Sequence, residues 1–189
     1  MKTLLLAAVT LTLVSSAQSA TILFDLQGTA GSGILAANEI PAVTGGGSGG
    51  EVGAGISFDT STNILTINIA WGSINGFTNL TGNPFAAHLH GPTAGGGALG
   101  FSQSGGVIAG IDTIGGWNPS ATGGGITSGL LTLTAAQAIN LLAEKTYINV
   151  HTQTNQGGEM RGNLVIVPEP SHAILSLLGL AAFGARRKR

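Results

Sequence analysis

The chain predicts an all-β fold: an antiparallel Greek-key β-sandwich of about eight strands with one short helix, in a single domain. Three observations carry this. Short stretches alternate apolar and polar residues with period two, glycine-rich connections separate them, and only one segment carries a helical signature. Ile22, Phe24 and Leu26 alternate with Leu23, Asp25 and Gln27 in the first strand. Val52, Ala54, Ile56 and Phe58 form the apolar set of the second, and Leu65, Ile67, Ile69 and Trp71 that of the third. Between these two, Asp59 to Asn63 is a turn, because Asp, Ser, Thr and Asn side chains hydrogen-bond their own backbone there. Further strands fall at Ala86–His90, Gly106–Ala109, Thr127–Leu133, Thr146–Thr152 and Glu159–Ile166. The helix starts at Thr134, whose capping box with Gln137 leads into Ala138 to Ala143 for about two turns. Many of the 32 glycines cluster, at Gly45–Gly50, Gly95–Gly97, Gly105–Gly106, Gly115–Gly116 and Gly123–Gly125, and read as punctuation between strands. A calcium-binding β-helix would need a fixed nonapeptide repeat, which is missing.

Both ends read as addresses rather than as fold. Residues 1–20 carry Lys2, an apolar run through Val14 and the small-x-small pattern Ala17-Gln18-Ser19-Ala20, as in a secretory signal peptide cut before Thr21. At the other end, residues 167–189 begin Val167-Pro168-Glu169-Pro170, continue as an apolar run to Ala185 and finish Arg186-Arg187-Lys188-Arg189. Pro168 and Pro170 fix φ and lack an N–H, giving an extended, accessible segment. The apolar run is shorter than the roughly 20 residues of an ordinary span, and the four terminal cations favour the cytoplasmic side. This tail resembles the PEP-CTERM sorting signal of Gram-negative bacteria. The resemblance implies a transmembrane helix that anchors the protein briefly in the inner membrane, cleavage at the tripeptide by an exosortase, and release to the cell surface or extracellular matrix. Signal peptidase and exosortase are then its processing partners. His172 lies in the tail and belongs to no site.

The remaining domain, 21–166, holds two basic residues, Lys145 and Arg161, against seven acidic ones, Asp25, Glu39, Glu51, Asp59, Asp112, Glu144 and Glu159, a net charge of −5. Nucleic acid is excluded as a partner, since its binding needs clustered Lys and Arg. Neutral extracellular polysaccharide or a cation fits better. No cysteine is present, so stability rests on burial and backbone pairing although the destination would permit disulfides.

Three segments carry a family resemblance. Ala87-His88-Leu89-His90-Gly91-Pro92, Leu133 to Gln137, and Tyr147 to Thr152 followed by Gly157-Gly158-Glu159-Met160-Arg161-Gly162 resemble, in order and spacing, the chordin-like or CHRD domain. Glu39-Ile40-Pro41 resembles its N-terminal region. The resemblance implies an extracellular β domain used in surface and binding contexts.

Chemistry concentrates on three histidines. His88 and His90 lie two apart on a strand, so both imidazoles leave one face and can share a cation, and His151 ends another strand. A copper or zinc site on His88, His90 and His151, completed by water or Glu159, is one reading, and a structural hydrogen-bond network around the Gly91-Pro92 turn is the other. The pattern is similar to the copper half of copper-zinc superoxide dismutases, but the zinc-ligand cluster and a fourth histidine outside the tail are missing. Glu159 and Arg161 leave the same face; Arg161 is expected to pair with Glu159 or to bridge carbonyls, and Glu159 to be that partner or to orient a histidine. Trp117, in a loop, is the better candidate for stacking a sugar, and Trp71 is assigned to the core. No carboxylate pair at informative spacing, nucleophile elbow or phosphate loop is present, so no enzyme activity is expected. The sequence therefore offers two functions: a non-catalytic surface or matrix protein in envelope, exopolysaccharide or biofilm organisation, and a metal-binding domain with a redox role.

The sorting reading has a direct consequence. Replacing Pro168, Glu169 and Pro170 by alanine should leave an uncut, membrane-bound form, visible as a size increase in fractionated cells, while the wild type is released.

Overall fold

Period-two alternation turns into one buried face per strand. The computed structural model of the protein describes residues 20–168. The expected signal peptide over 1–19 and the tail from Glu169 onward, with Pro170, His172 and Arg186 to Arg189, lie outside the described residues.

Twelve strands form among the described residues, all paired antiparallel: β1 (Thr21–Gly28), β2 (Gly31–Ser32), β3 (Ile34–Leu35), β4 (Ser48–Glu51), β5 (Ile56–Asp59), β6 (Ile64–Trp71), β7 (Pro84–His90), β8 (Val107–Gly110), β9 (Trp117–Asn118), β10 (Gly125–Thr132), β11 (Tyr147–Thr152) and β12 (Met160–Ile166). One layer is built on β6, flanked by β5 and β4 and extended by β10 and β9. The other runs β12, β11, β7, β8. β1 joins them, since Thr21 to Phe24 pair with β5 while Phe24 to Gln27 pair with β12. β3 makes a second link, between β12 and β4.

Inward residues of the two layers form one cluster. Leu65, Ile67, Ile69 and Trp71 of β6 share it with Ala87 and Leu89 of β7, Ile148 and Val150 of β11, and Met160 and Leu164 of β12. Full burial of each large aliphatic side chain contributes about 1.5–3 kcal/mol, which lets a chain without disulfides hold. The helix α1 (Ala135–Leu142) starts in the expected capping box, with Thr134 accepting from the Gln137 N–H and Gln137 reaching back to Thr134, and buries Ala138 and Leu141. The Asp59 turn also forms, its Oδ1 accepting from Ser61 and Thr62. None of the described helices is long and apolar enough to cross a membrane.

Two strand expectations are corrected. The eight expected strands are joined by four short ones, and the strand expected from Val52 begins only at Ile56, because Gly53 and Gly55 take left-handed φ values of 57° and 68° and turn the chain. Conversely, part of the Gly45–Gly50 cluster is strand β4 rather than a connection. A Cβ on Gly49 would lie 2.4 Å from the Ala70 carbonyl oxygen and 2.8 Å from Ile34, so glycine there permits close packing of β4 on β6.

The second consequence of alternation is an outer face on β7, β11 and β12. His88 and His90, Tyr147, Asn149 and His151, and Arg161 and Asn163 occupy the positions between the core residues. Register sets His90 opposite Tyr147, His88 opposite Asn149 and His151 opposite Ala86, with Arg161 opposite Asn149 on the far side.

Gly49→Val should cost about 1–3 kcal/mol, the usual range for overpacking. The midpoint of urea unfolding reads this, whereas valine at Gly53, with no atom within 4 Å of its Cβ position, meets no such contact and pays only for its left-handed backbone.

Candidate metal centre

Two histidines that are neighbours on β7 and a third, 63 residues beyond His88 on β11, meet on that outer face. One ring nitrogen from each of His88, His90 and His151 falls within 4.8 Å of the others. His90 and His151 are each 9 % exposed, and His88 is half-buried.

Backbone carbonyls fix two of the rings. His90 Nδ1 lies 3.0 Å from the Gly105 carbonyl oxygen, and His151 Nδ1 lies 2.8 Å from that of Gln156. A carbonyl only accepts, so both Nδ1 atoms carry the proton and both Nε2 atoms present a lone pair. His90 Nε2 is buried with no hydrogen-bond partner. His151 Nε2 accepts from His88 Nδ1 at 2.9 Å. Ring orientation by an outer carbonyl is the arrangement that holds imidazoles on metals. Burial pulls His88 and His90 below the ordinary histidine pKa; at His88 the charge of His151 adds to this and Asp112 opposes it, while at His90 the bond to Gly105 opposes it. Neutral imidazole is the form a cation needs.

Beside the histidines lies a layer of buried polar groups. Tyr147 stacks on His90 at 4.9 Å and carries the Arg161 guanidinium 3.6 Å from its ring centroid. Arg161, fully buried, donates through Nη2 to the carbonyls of Gln103 at 2.6 Å and Gly100 at 3.2 Å, and through Nε to Asn163. The 100–105 segment so pinned supplies the Gly105 carbonyl to His90 and to the Tyr147 hydroxyl, which donates to it. Glu39, 9 % exposed, sits near Arg161 and Asn149, and burial raises its pKa against the lowering effect of both.

Glu159 and Arg161 do not form the expected pair. Glu159 Oε1 accepts from the backbone of Gly47 and Thr81, and Oε2 from the side chains of Thr81, Thr152 and Asn155. These bonds outweigh burial and lower its pKa. The carboxylate whose charge acts on Arg161 is that of Glu39. Glu159 is therefore a structural hub that ties the 47, 81 and 152–155 segments together, and its bonds leave it no place in the histidine cluster.

Trp117 is only half available. It lies in β9, packs against the core cluster and sits 5.5 Å from Trp71, so its contact with Trp71 takes surface that sugar stacking would use. Trp71 is fully buried, its Nε1 donating to the Ser120 carbonyl. Pro168 is exposed at the edge of the described residues.

Three participants were not singled out from sequence. Tyr147 and Asn149 share alternate positions of β11 with His151, so period two places them on the histidine face. Glu39 reaches it from a loop; its segment Glu39-Ile40-Pro41 carries part of the family resemblance, but no periodicity places it on this face.

Fold and site define an antiparallel β-sandwich domain with three converging imidazoles on the outer face of one layer. The CHRD domain family matches residues 32–164, and the chain belongs to that family, whose domain points to an extracellular or secreted setting. No curated protein and no solved structure matches the chain.

Two predictions follow from this network. Glu159→Ala strands two backbone N–H donors and two hydroxyls and should cost about 3 kcal/mol in urea unfolding. For the metal-free protein, His88 and His90 hold fewer protons folded than unfolded, so their contribution is complete above about pH 6.5 and is lost as pH falls. Glu39 and Glu51, both raised by burial, contribute in the opposite sense, losing stability as pH rises through the carboxylate range. Unfolding midpoints should therefore drop between pH 7 and roughly 5.5, and a His88/His90→Gln variant should flatten that drop.

Proposed function

We propose that this chain is an exported CHRD domain that holds one late transition-metal ion, copper or zinc, on His88, His90 and His151. The observation that carries it is His90 Nε2: buried, deprotonated by the bond its other nitrogen makes, without a partner, and grouped with two more imidazole nitrogens. A purely structural histidine would have that nitrogen hydrogen-bonded, since an unmade bond on a buried polar group costs about 1–3 kcal/mol. Three neutral nitrogen donors suit copper or zinc rather than calcium or magnesium, which take oxygen. Uptake would break the His88–His151 hydrogen bond and free the His151 Nε2 lone pair, with the His88 proton held on whichever of its ring nitrogens does not face the ion.

The role is non-catalytic retention of the ion outside the cytoplasm. The family match, the leader-like segment 1–20 and the PEP-CTERM-like tail support export through the inner membrane, processing by signal peptidase and exosortase, and a final place in the cell envelope or extracellular polymer. There the domain organises matrix or biofilm material, with the bound metal stiffening the domain. The acidic domain has no cluster of cations for nucleic acid.

Elemental analysis of the exported protein, purified after growth with copper and zinc, tests this against a His88/His90/His151→Ala variant. About one equivalent of metal in the first and none in the folded variant is expected. Absence of metal from both would leave the three histidines as a structural network and the domain as a matrix component.

A further inference from the structure

A three-histidine site leaves one coordination position of a tetrahedral ion open, and the outer face offers a specific group for it. Asn149 stands directly across from His88 on the neighbouring strand and two residues from His151, so its side chain rises from the sheet among the histidines. It is 3 % exposed. Its amide nitrogen is on the side of Glu39: Asn149 donates to the Glu39 carboxylate, and the Cβ position of Gly158, 2.8 Å from Asn149 Nδ2, is 3.0 Å from Glu39 Oε1. That bond fixes which end of the carboxamide is oxygen, and it leaves Oδ1 turned away from Glu39. Oδ1 is buried with no hydrogen-bond partner, as is His90 Nε2.

Besides Glu39 Oε2, which is also unmatched, two neutral acceptors on this face, one nitrogen and one oxygen, both lack a donor. A protein donor would satisfy one of them. A cation satisfies both. We infer that Asn149 is the fourth ligand of the site, its carboxamide oxygen completing an N3O set with His88, His90 and His151, and that Glu39 is a positioning residue that orients this oxygen. The inference rests on the three-histidine reading and deepens it. A neutral oxygen donor adds no charge to the site, so the bound ion keeps its full positive charge, and the buried position of Oδ1 closes the coordination sphere to solvent from beneath, leaving half-buried His88 as the side of approach. This makes the centre a holding site with a filled sphere, in contrast to a hydrolytic site that keeps a water on the metal.

The purified full chain loaded with Co(II), a spectroscopic stand-in for zinc, gives the test through proton and nitrogen NMR. Direct ligation delivers unpaired spin onto the Asn149 carboxamide, so its N–H signals should move far outside the range of the Asn163 carboxamide, which is on the same face but hydrogen-bonded to Arg161 and Gly100. Asn149→Ala should weaken Co(II) binding about 10–100-fold, the range found for groups that support a metal site, and change the visible ligand-field bands as water enters. Histidine ring signals shifted by the metal with an Asn149 carboxamide no more displaced than that of Asn163 would overturn the fourth ligand alone. So would a folded Asn149→Ala chain that binds within about twofold of the native one. If Co(II) shifts no histidine signal, the three-histidine site fails and this inference with it. The NMR comparison uses the native chain, so a variant that does not fold leaves the question answerable.

Discussion

The outer face of the β7–β11–β12 layer depends on one buried guanidinium. Arg161 lies over the Tyr147 ring, donates to the carbonyls of Gly100 and Gln103, and has the Glu39 carboxylate near it. A planar fork of donors suits this task, because it can bond two carbonyls while its face stacks on a ring, and a lysine could not do both. Removing it would leave the 100–105 segment without its anchor. Gly105, which fixes the tautomer of His90, belongs to that segment. The state of the unpartnered His90 Nε2 therefore depends on a cation that never touches it.

A second buried charge, Glu159, performs the matching task for the turn that holds His151. Glu159 accepts five hydrogen bonds from segments that are far apart in sequence, the longest reach being the 112 residues to Gly47. Its contact with Thr152 and Asn155 shapes the turn after β11, from which Gln156 holds His151. Arg161 and Glu159 are thus each bonded to neutral dipoles, which limits the desolvation penalty that isolated buried ions suffer. Two hydrogen-bonded turns, one organised by Arg161 and one by Glu159, set the rings of His90 and His151. His88 is held by His151 alone. His88 is therefore the least constrained of the three rings.

Much of this was legible in the sequence where the physics is local. Alternation gave β1, β6, β7, β11 and β12, since a half-buried strand repeats every two residues whatever it packs against. Thr134 with Gln137 gave the helix start, because a capping box is satisfied within four residues. The glycine-rich stretch before Glu51 misled, since glycine marks a turn in one place and a close strand contact in another, and only the neighbour across the gap distinguishes them. Here the neighbours are Ile34, Ala70 and Trp71.

By itself the chain determined its β class, its capping box, the shared face of His88 and His90, and the acidic balance of its folded part, because each follows from side-chain type and spacing along a few residues. Tertiary structure alone decided that His151 joins those two, that Arg161 answers to Glu39 and Tyr147 rather than to Glu159, and that Trp117 leans on Trp71. The reason is strand order. Placing β11 between β7 and β12 sets residues about 60 positions apart side by side, and that order comes from how two apolar faces close over one core, a property no local pattern contains.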